Sequence, residues 1–337
     1  MEFRKYGSIE NTYHKKSLDE CYKQGLAGGE WHVSEKIHGA NFAIYYDGTD
    51  IQYAKRTAIL EKDESFYEWQ SVAEEDELEL KIKNLYKEIG GDIGELRVMG
   101  ELFGGNYPHK DVEKTKCKMV QKGVLYSPKQ HFVAYDILVN GEILPPSEAT
   151  ELLDKAGFVQ VDTLFTGSLE ECLQYKNDGV SQLYKKYNLP EIENNIMEGV
   201  VIKPLNDVRF YGNKARVIYK NKNEKFAEKE KRNKPKKVPK KLTIEERETM
   251  DLIEPFISEN RLRNIISHIG EIEKSMFGLL QCNLIKDVLS DATSNEEISE
   301  KINSLSKGSK KVINKEVGKI SVALIKKNFI DIVNGEF

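Results

Sequence analysis

Cysteine is scarce in this chain and widely spaced. Its four copies (Cys21, Cys117, Cys172 and Cys282) form no C-x-x-C pair in 337 residues. That argues against a disulfide framework or a structural zinc site, and for reduced thiols in a cytosolic setting. The six histidines show no metal-ligand spacing either. No stretch approaches the roughly 18 consecutive apolar residues that a membrane-spanning helix requires. The N-terminal MEFRKYGSIE lacks the apolar core of a secretory signal. The expectation is a soluble, intracellular, cytoplasmic protein with no membrane partner. Proline (9) and glycine (24) are too few, and apolar residues (39%) too many, for disorder or a collagen-like repeat. A large excess of one charge is also lacking, since 51 basic residues face 55 acidic ones for a net −4. That balance hides an asymmetry. Lys220–Lys241 holds 11 Lys/Arg and 3 acids, a local +8 that leaves −12 on the remainder. Such a basic stretch in an acidic chain is the footprint of one polyanion-binding face.

What is present is a mixture of alternating and helical patterns. Phe42–Tyr46, the Asp47-Gly48 turn and Ile51–Arg56 predict a β-hairpin. Leu96–Phe103 and His131–Val139 predict further strands, the second followed by an Asn140-Gly141 turn. Strands return at Gly199–Lys203 and Ala215–Asn221. One long polar helix is expected over Ser65–Ile89, with shorter ones over Glu148–Ala156 and Leu169–Tyr175. Hairpins rather than regular βαβ units point to an α+β fold with antiparallel sheets. Beyond a basic, proline-containing linker at 234–242, Thr243 and Glu246 form a capping box, and helical spacing runs to Phe337. The expected domains are 1–233, the linker 234–242, and a small all-helical domain over 243–337. No internal repeat is visible.

Several residues point to chemistry. Glu35-Lys36-Ile37-His38-Gly39-Ala40-Asn41 lies between a strand and the hairpin. A lysine in a glycine-containing turn is ordinarily a solvated surface residue, so it needs support from elsewhere. Glu101, in Met99–Gly104, and Glu198, before Gly199–Lys203, are carboxylates set in apolar runs, where they are costly unless paired or metal-bound. Lys220 and Lys222 are two apart and therefore on one face of a strand. These residues alone indicate a phosphate-handling α+β enzyme.

Taken in order, K-x-H-G-x-N, Lys55-Arg56, G-E-L-F-G, F-V-A-Y-D, E-G-V-V-I-K and Y-K-N-K resemble the covalent nucleotidyltransferase superfamily of ligases and capping enzymes. The likeness is greatest to the RNA ligase 2 branch of phages, poxviruses and kinetoplastid editing complexes. It extends from Lys5-Tyr6 to the Asn260–Glu271 segment. The resemblance implies a nucleotidyltransferase (ATP-grasp-like) domain followed by the helical domain. It also implies a reaction in which Lys36 takes AMP from ATP, AMP passes to an RNA 5′-phosphate, and a 3′-OH displaces it. A free lysine, with a pKa of about 10.4, is almost wholly protonated at neutral pH. Lys220, Lys222, Arg56 and a divalent ion, Mg²⁺ or Mn²⁺, are the groups expected to activate it and to offset charge on the phosphates.

The same resemblance assigns Tyr135 to stacking on adenine, and Arg56 and Glu101 to the ribose side. Glu198, with Glu101, is assigned to the metal. Lys220 is assigned to the α-phosphate with Lys222 nearby, Lys203 to the same pocket wall, and Glu35 and Ile37 to adenine recognition through backbone groups. Asn41 and His38 are expected near the metal-bound phosphates or the polynucleotide ends, with His38, Arg261 and Arg263 as RNA contacts. The expected partner is a nicked duplex RNA or RNA-containing duplex, with no obligate protein partner. DNA ligases and mRNA capping guanylyltransferases are the alternatives within the superfamily, but they normally carry an OB-type barrel where this chain is helical. An inactive RNA-binding module would have lost an essential group, yet Lys36, Glu101, Glu198, Lys220 and Lys222 are all present. The Lys-, Asn- and Ile-rich composition suits an A+T-rich genome such as a viral one.

Overall fold

The computed structural model describes residues 1–227 and 242–337. The expected linker therefore lies, except for Leu242, outside the described residues. So do 228–233 and most of the basic run. The chain divides into two compact units. The first comprises Met1–Tyr13, Asp19–Asn223 and Ser267–Gly270; the second comprises His14–Leu18, Glu224–Ile266 and Glu271–Phe337.

The first unit is α+β. Among the described residues its strands are β1 (Glu10–Asn11), β2 (Trp31–Glu35), β3 (Ala40–Tyr46), β4 (Ile51–Lys55), β5 (Leu96–Gly104), β6 (Gln130–Val139), β7 (Glu142–Ile143), β8 (Thr163–Gly167), β9 (Gly199–Pro204) and β10 (Tyr219–Lys222). They form two five-stranded sheets, ordered β1-β10-β9-β2-β8 and β4-β3-β5-β6-β7. Every pairing is antiparallel except β1 with β10.

In the second sheet the alternation sorts side chains cleanly. Phe42 and Ile44 of β3, Val98 and Leu102 of β5, and Phe132 and Ile137 of β6 join one buried core. The helices Trp69–Glu75, Leu78–Glu88 and Pro146–Ala156 contribute Val72, Ile82, Leu85 and Leu153 to it. Burying each large aliphatic or aromatic side chain contributes roughly 1.5–3 kcal/mol.

Three expectations change in detail. The single helix over Ser65–Ile89 is two helices, because the Asp76 carboxylate accepts the Phe132 N–H at 2.8 Å and the chain turns through a left-handed Glu77 (φ 53°). The last strand is shorter than Ala215–Asn221, since Arg216 pairs only through an isolated bridge to Arg209. The edge strands β1 and β8 and the helix Lys15–Lys23 have no counterpart among the expected elements.

The second unit is helical. It contains Ile244–Ile253, most of Glu259–Ile269, and Phe277–Ser294, Glu296–Ser304 and Lys307–Val333. Its first helix starts with a reciprocal cap: Thr243 Oγ1 accepts the Glu246 N–H (3.2 Å), and Glu246 accepts the Thr243 N–H (3.0 Å). Leu280, Leu284, Val288, Ile313, Val317 and Ile325 are buried at helical spacing. No helix among the described residues is long and apolar enough to cross a membrane.

Candidate active site

The site forms where one sheet hands the chain to the other. β2 ends at Glu35 and β3 begins at Ala40, so Lys36–Gly39 is the crossing. β9 lies between β2 and β10 and runs antiparallel to both, so its start meets both their ends. Glu198 stands just before that start. Gly199 pairs with Lys222, and the Lys36 N–H donates to the Gly199 carbonyl at 2.9 Å.

Strand register alone thus gathers three groups on one carboxylate. Lys36 Nζ is 2.8 Å from Glu198 Oε2, Lys222 Nζ is 2.9 Å from Oε1, and His38 Nδ1 is 3.3 Å from Oε2. Burial by itself would push the Glu198 carboxyl up, but the Lys222 and Lys36 ammoniums, with His38, hold it well below the usual carboxylate range. The Lys36 side chain keeps 18% exposure against 3% for Glu198, so the lysine is the more open member of the pair.

Gly39 brings the second carboxylate in. A Cβ there would lie 2.1 Å from the Leu102 carbonyl oxygen and 2.7 Å from Glu101 Cγ, so only glycine lets the crossing lie against β5. Asn41 is paired with Glu101 across β3 and β5. Burial raises the Glu101 carboxyl to about 8, with the Glu198 charge adding to the rise and Lys36 and Arg56 opposing it. Arg56, just past β4 and half-buried, acts electrostatically on Glu101, Tyr135 and Tyr6.

Tyr135 reaches this region through a β-bulge. Met99 pairs with Asp136 and Gly100 with Ala134, leaving Tyr135 as the extra residue on β6. Phe132, Ala134 and Ile137 therefore face the core, while Tyr135 and Asp136 are both turned away from it. The Tyr135 hydroxyl accepts from Asn41 Nδ2 at 2.6 Å, and its ring meets Tyr6 edge-on with centroids 5.5 Å apart.

Asp136 anchors a second ion cluster. Lys203 Nζ is 2.8 Å from it and 2.9 Å from the Tyr135 carbonyl oxygen; Arg216 donates to it at 2.6 Å, and the Tyr6 hydroxyl donates as well. Lys203, expected on the pocket wall, is thus committed to a buried ion pair.

The other expected residues fall as follows. Glu35 and Ile37 are buried, and Glu35 accepts the Gln182 N–H at 3.4 Å. Lys220 is half-buried on β10, opposite Val201. His38 lies inside the site rather than on an open surface, with Nε2 3.0 Å from the Lys122 carbonyl oxygen.

The two arginines expected to contact RNA are occupied within the helical unit. Arg261 is 1% exposed, bound to Asp287 and Asp291, and donates to the Phe256 carbonyl at 2.8 Å. A guanidinium buried on two carboxylates has no face left for a phosphate, so the expected phosphate contact is corrected to a structural one. Arg263 bonds Asn260 at 3.3 Å and lies 4.5 Å over the Phe337 ring.

Arg216 is not among the residues that the motifs mark, although its signal is there. Asp136 is a third carboxylate in an apolar run, and the rule that marks Glu101 and Glu198 also demands a cation for it.

Comparison with known proteins follows the same divisions. Residues 29–222 match the RNA ligase family model, and 240–322 match the model for the T4 RNA ligase 2 C-terminal region. The chain belongs to the RNA ligase family.

The mitochondrial RNA-editing ligase 1 of Trypanosoma brucei brucei is 32% identical over 221 residues, covering 55% of this chain and 47% of that protein. The mitochondrial RNA-editing ligase 2 of the same organism is 32% identical over 156 residues, covering 40% and 36%. The chain thus spans about half the length of the first of these relatives, or less of the second. Among solved structures, a Naegleria gruberi RNA ligase variant with AMP and Mn is similar over 66% of this chain and 57% of that one (18% identity, TM-score 0.46). The same ligase with PPi is similar over the same shares (16% identity, TM-score 0.42).

Proposed function

We propose that this RNA ligase family member is an ATP-dependent RNA ligase that seals 3′-OH/5′-phosphate nicks in duplex RNA through AMP carried on Lys36. The observation that carries the reading is the Glu198 cluster, in which a more open lysine and a second buried lysine share one ionised carboxylate. The Lys36 ammonium first releases a proton to water; its neutral amine then attacks the α-phosphorus of ATP, a P–N bond forms with loss of a second proton, the bond to the bridging oxygen breaks, and pyrophosphate leaves. The RNA 5′-phosphate oxygen then displaces Lys36, and the 3′-OH displaces AMP.

Lys222, with Lys220 on the same strand face, supplies fixed positive charge for the phosphate oxygens as charge grows on them. Asn41 fixes the Tyr135 hydroxyl and Lys203 its carbonyl, so the ring that stacks on adenine is held from both ends. Glu35 and Ile37 border the base, and Arg56 borders the sugar.

The donor set suits a divalent cation. Glu101 and Glu198 are two carboxylates close enough that one raises the other's pKa, a repulsion that a hard cation relieves. Glu101 and Glu198 would hold Mg²⁺ or Mn²⁺, which would supply positive charge to offset that of the phosphates.

The test is incubation with α-phosphate-labelled ATP, or GTP in parallel, beside Lys36→Ala. The expected outcome is acid-labile label on the wild type from ATP alone and none on the variant. Label from GTP alone would assign the capping reaction instead. Sealing of nicked RNA against nicked DNA then fixes the polynucleotide.

A further inference from the structure

Between Gly104, which ends β5, and Gln130, which begins β6, the chain runs through a long segment with no helix or strand of its own. Connections beyond about 12–15 residues without regular structure are uncommon in compact domains and usually serve function. This one is tied to the nucleophile turn at three points. Tyr126 Oη accepts the His38 N–H at 2.8 Å, the Lys122 carbonyl faces His38 Nε2 at 3.0 Å, and Gln121 donates to the Gly39 carbonyl at 3.5 Å. It is fastened behind by Asn195, which donates to the Leu125 carbonyl (2.6 Å) and accepts its N–H (2.8 Å).

The segment is also basic. It carries six lysines (110, 114, 116, 118, 122 and 129) against Asp111 and Glu113, in a chain whose net charge is −4. Lys129 is used by Glu75. Lys110, Lys114, Lys116 and Lys122 are exposed, with no ion pair among the described residues. Exposed loop lysines are ordinarily just solvated. The departure here is that the segment is bonded to the Lys36–Gly39 crossing, with Lys122 at the crossing itself and Lys110, Lys114 and Lys116 further along the same continuous stretch.

We propose that the 105–129 segment is a phosphate-tracking lip that seats the RNA backbone against the Lys36 turn. The inference rests on the ligase reading and adds where the polynucleotide lies. Contacts to phosphate position a nucleic acid without reading its sequence, which suits an enzyme acting on strand ends of any sequence. The lip serves steps that involve RNA and leaves the transfer of AMP to Lys36 untouched.

The test replaces Lys110, Lys114, Lys116 and Lys122 together by Gln in the full chain. A control carries four other exposed lysines (Lys16, Lys23, Lys62 and Lys87) changed to Gln. Three readouts are taken: Lys36 labelling from ATP without RNA, affinity for a nicked duplex RNA from 50 to 200 mM salt, and single-turnover sealing. The lip variant should label within twofold of wild type. It should bind RNA at least about tenfold more weakly, with a slope of log affinity against log salt shallower by roughly 3–4, at about 0.9 for each phosphate no longer neutralised. Sealing should fall in parallel and recover at high enzyme concentration.

An unchanged slope and affinity, with the lysines then facing an acidic protein instead, would overturn the inference. So would an equal loss in the control, which would show a bulk charge effect. Absence of labelling on the wild type would instead overturn the ligase reading beneath it.

Discussion

Two buried carboxylates in this protein have nearly the same company and different uses. Glu198 is flanked by Lys36 and Lys222, and Asp136 by Lys203 and Arg216. In each, burial pushes the acid up and two cations more than reverse it, leaving the acid ionised. The difference lies in the cations. Lys222, at 9%, is as closed as Arg216 (9%) and nearly as closed as Lys203 (5%), and both acids are buried (3% and 1%); only Lys36, at 18%, stands apart. The Asp136 cluster is closed and holds the fold, the Tyr135 backbone included. The Glu198 cluster has one more open member, as the proposed ligase reading requires of a lysine that takes up a nucleotide. Charge pairing is therefore no mark of a site by itself; access to one partner is.

The sharpest way to break this comparison is to neutralise each acid in turn. Asp136→Asn leaves Lys203 and Arg216 buried without their anion. Removing one member of a closed ion pair costs roughly 3–5 kcal/mol. Thermal and denaturant unfolding should show that loss, while surviving folded molecules still label at Lys36. Glu198→Gln should show the reverse pattern. Lys36 can turn to solvent when its partner is lost but Lys222, at 9% exposure, cannot, so stability should fall by less than for Asp136→Asn, by roughly 1–3 kcal/mol. Labelling should fall by about 10²–10³, the range for removing one fixed electrostatic partner of a transition state. Should the two variants lose stability and labelling in the same proportion, the clusters are not distinct in function.

Much of this is legible in the residues and some is not. The hairpin, the two central strands and the lysine-bearing crossing follow from alternation and turn chemistry, which are local. The relation between Lys36, Glu198 and Lys222 is not local, since it depends on β9 lying between β2 and β10. Motif order can suggest it, but only register shows why. Strict alternation puts Asp136 with Phe132 and Ala134 in the core, and the bulge at Tyr135 reverses that. The break is visible as Phe132, Ala134, then Ile137. The expectation for Arg261 fails because a position near a helix start need not be exposed. Its partners Asp287 and Asp291 stand four apart on one helix, a spacing that places both carboxylates on one face and calls for a cation.

A third buried acid, Glu35, completes the comparison because no cation among the described residues pairs with it, and its pH effect is of opposite sign. Burial raises its carboxyl to about 7 from an ordinary 4.5, with the long bond from the Gln182 N–H (3.4 Å) opposing the rise. Between those values the folded chain holds a proton that the unfolded chain has released. The resulting stability is fully present below about 4.5 and is lost as pH rises through about 7. The Asp136 contribution runs the other way. It is present above the ordinary aspartate value and is lost only as acid reaches the depressed one. Glu35→Gln removes the first titration, so its unfolding free energy should fall less than the wild type's between pH 5 and pH 8, by roughly 1–3 kcal/mol. Asp136→Asn should leave that interval's slope unchanged. If the Glu35→Gln and wild-type curves ran parallel there, the Glu35 carboxyl would already be ionised at pH 5. Water or an unrecognised cation would then reach the end of β2, and the contrast between acids with and without cations would collapse.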